Sequence, residues 1–173
     1  MIYNRYIIKG RKLNIMTMNE KRQRKYPDTP TFHFHNANPK GKMTTDCVVR
    51  AISTVLKQPY DQTLREMTEM TIKTGYMWNE NKGINKYMES KGWVRCKSPR
   101  KDDGTKYTGN EFCRTLMHPI YSEELNLYDK AFEMNNVLTN IGGHHIVAIM
   151  SGQIWDIWNS GDKSIGIVWV KPA

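Results

Sequence analysis

The hydrophobic pattern of this chain changes period once, near residue 137, and that change constrains the fold more than any other feature. From Cys47 to about Leu116, apolar residues recur at three- and four-residue spacing, the mark of helices that bury one face. From Val137 onward they come in short β-branched runs separated by glycine-containing turns. Helices gathered ahead of strands predict an α+β domain, an N-terminal helical part followed by a C-terminal antiparallel sheet. A length of 173 residues fits one domain and is enough to bury a core without disulfide staples.

Val48, Ala51, Ile52, Val55 and Leu56 predict a helix that Thr44 or Thr45 caps and that ends before Pro59. A second helix is expected over 61–74, with Leu64, Met67 and Met70 or Thr71 inward and Gly75 as its stop, and a third over 82–90, with Ile84, Tyr87 and Met88 inward. Residues 93–97 read as a strand, and Thr108 with Glu111 forms a capping box that opens a short helix through Leu116. Another short helix is expected over 122–133, on Leu125, Tyr128 and Phe132. Strands are expected over 137–141, 145–150, 153–158 and 166–170, and the alternation of Phe32, His33, Phe34 and His35 marks one more at the front of the domain.

The formal charge of +9 is concentrated at one end: residues 1–26 hold eight basic side chains against Glu20. Pro27 and Pro30 follow as linker chemistry, so residues 1–31 read as a basic, flexible arm and 32–173 as the folded domain. Such an arm can neutralise phosphates, which makes nucleic acid a possible partner, although solvated tails are the commoner use of a basic run. Met16 and Met18 are alternative starts that would shorten the arm. No apolar run reaches the roughly 18–20 residues of a bilayer-spanning helix, and no long apolar leader stands at the N-terminus. Cys47, Cys96 and Cys113 form no CxxC pair and no even framework, so a reduced, cytoplasmic setting is expected. His33 and His35 lack the carboxylate or thiol partners of a metal site, and no cofactor is expected.

Cys47 carries the chemistry. It falls in the first turn of a buried helix, where orphan amide groups and the helix dipole stabilise a thiolate. Its base should be remote in sequence and held by a third polar group. If Ser151 and Gly152 form a two-residue turn, Val147 pairs with Asp156 and His145 with Trp158, which makes His145 and Asp156 diagonal neighbours. A three-residue turn would put Asn159 opposite His145 instead, leaving Asn159 as the alternative orienter. Trp158 is the expected substrate wall, and Gly143 allows close approach of a loop to the cleft. His144 is expected to point away.

The order Asp46-Cys47-Val48-Val49-Arg50-Ala51-Ile52, then Gly143-His144-His145-Ile146-Val147-Ala148 and Ile154-Trp155-Asp156, resembles the papain-like cysteine peptidase superfamily, most closely small members encoded by phages of Gram-positive bacteria. The resemblance covers roughly residues 32–170. It implies a helical lobe carrying Cys47, a sheet carrying His145, and acyl transfer on amide, isopeptide or thioester bonds of a protein or peptide, in the cytoplasm of a bacterial host. Where the family often has a glutamine six residues before the cysteine, this chain has Gly41, so Asn36, Asn38 or a backbone amide would complete the oxyanion hole. The same departure leaves room for a catalytically silent member, an accessory or counter-defence protein that binds a host protein.

Overall fold

The computed structural model describes residues 7–8, 11–12, 16–43, 45–116 and 132–172. Among them the order is β1 (Ile7–Ile8), β2 (Arg11–Lys12), α1 (Met18–Lys25), β3 (Phe32–Phe34), α2 (Cys47–Val55), α3 (Tyr60–Thr74), α4 (Asn81–Ser90), β4 (Val94–Cys96), α5 (Gly109–Leu116), β5 (Phe132–Ile141), β6 (His145–Met150), β7 (Gln153–Asp156) and β8 (Ile165–Pro172). The architecture is α+β, with five helices about a six-stranded open sheet of order β3-β7-β6-β5-β8-β4.

The sheet is mixed rather than wholly antiparallel. Five strands pair antiparallel, but β3 runs parallel to β7, with Phe32 opposite Ile154 and Phe34 opposite Asp156. Parallel neighbours need a long crossover, and the whole helical half of the chain supplies it between β3 and β7. The β-rich run at residues 32–34 thus joins the far edge of a sheet built almost entirely from the other end of the sequence.

Helix α2 is rich in β-branched residues, which are weak helix formers, so burial must hold it. Val48, Val49, Ala51, Ile52 and Val55 are all at most 3 % exposed. They pack with Met67 of α3, Met88 of α4 and the sheet residues Ile146, Ala148, Leu138 and Trp169. Each such aliphatic side chain contributes about 1.5–3 kcal/mol when fully buried. Phe112 and Cys113 of α5 belong to a second cluster with Phe32, Val147, Ile149 and Ile154. Strand β6 therefore feeds alternate residues into two cores, which explains its unbroken apolar run.

Gly75 ends α3 in the left-handed conformation, φ 75°, and the Thr108–Glu111 box opens α5 through Glu111 N–H to Thr108 Oγ1 (3.3 Å) and Thr108 N–H to Glu111 Oε2 (2.8 Å). Two expectations at the ends of elements differ. The residue before α2 is Asp46, whose side chain makes no cap bond, rather than Thr44 or Thr45. Strand β5 begins at Phe132, where the sequence pattern predicts a helix, and residues 122–131 lie outside the described residues.

Residues ahead of Thr31, read as a flexible arm, contain α1. A capping box between Thr17 and Glu20 opens it. Arg22 donates Nε–H to the Ile157 carbonyl (3.2 Å), Asn36 donates to Asn19 Oδ1 (2.9 Å), and Gln153 donates to the Thr29 carbonyl (3.1 Å). The helix carries no buried apolar residue, so the hydrophobic periodicity on which sequence reading depends is missing there.

Candidate active site

Three elements converge on one cleft. The first turn of α2 brings Cys47, the start of β6 brings His145, and the end of β7 brings Asp156. The β6–β7 hairpin sets the last two. Ala148 pairs with Trp155, Ile149 with Ile154 and Met150 with Gln153, the register of a two-residue turn at Ser151-Gly152. Both turn residues have positive φ, 47° and 76°, as a type I′ hairpin requires. His145 Nε2 lies 2.6 Å from Asp156 Oδ2, with the carboxylate only 4 % exposed.

With Nε2 committed to Asp156, Nδ1 is the ring nitrogen left for the Cys47 sulfur, and each of the two groups shifts the ionisation of the other. Burial opposes ionisation of the half-buried Cys47. The His145 hydrogen bond, the Ile146 amide, and the charges of His145 and Arg50 outweigh it and hold the thiol below its ordinary pKa. Burial likewise disfavours the His145 cation, but the bonds and charges of Asp156 and Cys47 raise it to about 9. The two shifts run in the directions that favour a thiolate beside an imidazolium.

Behind the pair runs a buried polar chain. Arg50, 4 % exposed, bonds Asp46 Oδ1 through Nη1 and reaches Asp156 Oδ1 through Nη2 at 3.5 Å. Asp46 Oδ2 accepts from Asn38 Nδ2 (2.9 Å) and Tyr60 OH (2.7 Å). Burial works against the Asp46 carboxylate, yet these two bonds together with Arg50 hold its pKa below the usual range. The chain Tyr60–Asp46–Arg50–Asp156–His145 thus ties helix α2, which carries Cys47, to strands β6 and β7. Isolated buried charges are costly, and each one here has an opposite partner.

The cleft holds about 480 Å³, a usual size for a small-ligand site. Cys47, Val48 and His145 lie in it beside Trp158, whose ring sits 5.0 Å from that of His145, and beside Arg22 and Asn79. His144 is exposed but also borders it, against the expectation that it points away. Gly143 is exposed with φ 94°; its carbonyl accepts from Asn140, and it lies outside the cleft lining. Asn159 is turned to the Gly161 amide and does not reach His145 in any hydrogen bond. Asn38 gives its amide to Asp46, and Asn36 gives its own to Asn19 Oδ1 and the Lys42 carbonyl, so both brace the loop before α2 and neither lines the cleft.

Arg50, Asp46, Tyr60, Arg22 and Asn79 carry no role in the sequence reading. For Arg50 a signal existed: an arginine inside Val-Val-Arg-Ala-Ile, four residues after an aspartate, is a charge at an otherwise buried position. Arg22 and Asn79 reach the cleft only through tertiary packing. His33 bonds Asp28 (2.9 Å), and the rings of His33 and His35 flank Trp155; no group of metal-ligating side chains occurs among the described residues. No helix among them is long and apolar enough to cross a membrane. Comparisons with protein-family models, with curated proteins and with solved structures give no match.

Proposed function

We propose that the chain is a papain-like cysteine hydrolase or acyltransferase acting on an amide, isopeptide or thioester carbonyl. The observation that carries this reading is the placement of Cys47 and His145 in one cleft, with Asp156 hydrogen-bonded to the imidazole behind them. In the reaction the Cys47 thiolate forms a C–S bond to the carbonyl carbon, and the carbon–leaving-group bond breaks as the His145 imidazolium protonates the leaving group. Water then attacks the thioester, giving its proton to His145, and Cys47 leaves as thiolate; an amine in place of water gives transfer. Asp156 keeps the imidazole in the tautomer that presents Nδ1 to sulfur. The first-turn amides of α2 have no carbonyl four residues earlier within the helix, and they supply the oxyanion donors in place of Asn36 and Asn38, with Asn79 as a side-chain candidate.

A burst assay with p-nitrophenyl acetate tests this. The expected result is nitrophenolate release with an acetyl group on Cys47 by peptide mass, lost in both Cys47→Ala and His145→Ala. Turnover retained by Cys47→Ala would contradict it. A second reading follows from the engagement of Asn36 and Asn38 within their loop: the cleft binds a partner protein without turnover. An absent burst with a folded, reactive Cys47 would favour that reading.

A further inference from the structure

The Cys47 cleft is lopsided in charge. Arg22, Arg50, His144 and His145 border it, and no carboxylate among the described residues does. Arg50 is paired with Asp46 and Asp156, and His145 with Asp156. Arg22 is different. Its Nε donates to the carbonyl of Ile157, the residue between Asp156 and the wall residue Trp158, and its guanidinium stands over the Tyr26 ring at 5.2 Å. Two contacts thus fix the group while its terminal nitrogens bond to no carboxylate among the described residues. A guanidinium held by Nε and by one face presents the remaining planar N–H fork, the geometry that takes a carboxylate in two parallel bonds. Lys21, Arg24 and Lys25 on the same helix add positive field, and α1 has a single acid, Glu20, which is spent on its own cap.

Resting on the acyl-transfer reading above, we infer that the cleft selects substrates with a carboxylate close to the scissile carbonyl, an Asp or Glu side chain or a chain-terminal carboxylate, and that Arg22 is the residue that binds it. Helix α1 is then part of the substrate site through Arg22.

The test uses Cys47 itself as the reporter, so no natural substrate is needed. N-iodoacetyl-glutamic acid with its α-carboxyl amidated, N-iodoacetyl-glutamine amide and N-iodoacetyl-glycine alkylate the same sulfur by displacing iodide; the first two differ only in carboxylate against amide, and the third is a smaller probe with a terminal carboxylate. The full-length chain should label at Cys47 roughly fivefold or more faster with an acidic probe than with the glutamine probe, a preference that shrinks as salt is added. The glutamate and glycine probes separate side-chain from terminal carboxylates. Arg22→Gln should bring the ratio of rates to about one, Arg22→Lys should keep part of it, and Arg24→Gln, on the exposed side of α1, should keep most of it. Equal rates for acidic and neutral probes in the unaltered chain would overturn the inference. So would an acid preference that survives Arg22→Gln. Protection of Cys47 by a short oligonucleotide in an Arg22-dependent manner, without any preference for acidic probes, would also overturn it by assigning the guanidinium to phosphate. A slow, ordinary thiol reaction with all three probes would fail the catalytic reading itself, whereas fast but indifferent labelling would fail only the role of Arg22.

Discussion

Replacing Arg50 by methionine removes a charge while keeping an unbranched side chain of similar reach, so packing is largely preserved and electrostatics are isolated. Arg50, Asp46 and Asp156 are 4 %, 6 % and 4 % exposed, and Arg50 is the cation both carboxylates share. Deleting one member of a buried ion pair typically costs about 3–5 kcal/mol, because the remaining charge is left without compensation. For a domain of this size that is a fall in Tm of roughly 6–20 °C. The cost should depend on pH. Asp46 has its pKa depressed in the native protein, so its contribution is present above the ordinary value of 3.8 and is lost as pH falls through the lower folded value. Without Arg50, Asn38 and Tyr60 still hold the Asp46 carboxylate against burial, but its pKa rises from the depressed native value. The stability gap between native and variant chains should therefore be widest near neutral pH and narrow as pH falls below about 4. Urea unfolding at a series of pH values measures this. A loss below about 1 kcal/mol, or one that does not change with pH, would refute the claim that Arg50 is the electrostatic tie between α2 and the sheet.

The remaining predictions concern the base, the hairpin and the helix packing. Asp156→Asn should drop the pKa of His145 from about 9 toward or below its ordinary 6.5, read by NMR titration of the ring protons. The stability that His145 contributes below 6.5, and loses as pH rises through about 9, should disappear with it; an unmoved titration would separate Asp156 from His145. Ser151→Asn places the residue preferred for positive φ at the first turn position, where φ is 47°, and should raise unfolding stability by about 0.5 kcal/mol. Gly109→Ala sets a methyl 2.8 Å from Ile141 Cδ1, 2.9 Å from Ile154 Cδ1 and 3.1 Å from the Gly161 backbone. It should destabilise by about 1–3 kcal/mol in the same unfolding assay.

Much of this architecture is local and therefore legible in the sequence. The stop of α3 at Gly75, the Thr108–Glu111 box and the Ser151-Gly152 turn are each decided within a few residues, and the hairpin register follows from the turn alone. Because the register fixes which residues are diagonal neighbours, the His145–Asp156 contact is legible in the amino-acid order itself. The parallel pairing of β3 with β7 is not, because it joins residues more than a hundred positions apart and leaves no mark in either run. Helix α1 is hidden because it buries no apolar face and so has no hydrophobic period. Asn36 and Asn38 are oxyanion candidates only by their distance along the chain from Cys47, and loop residues so close to a helix start are instead consumed in bracing it. Arg22 is the opposite case, in which the charge is legible and the location is not.

The central claim is that Cys47 and His145 form a thiolate–imidazolium pair. It is tested most directly by the rate of Cys47 alkylation with iodoacetamide from about pH 4 to about pH 9.5, resolved by peptide mass, in the native chain and in His145→Ala. Cys96 and Cys113 serve as internal references, since burial raises both thiols, Cys113 to about 12. The account predicts rapid labelling of Cys47 already at about pH 6, a further change near the His145 value of about 9, and loss of the low-pH reactivity in His145→Ala. Labelling that rises only above about pH 8.5 and is the same in both proteins would contradict it.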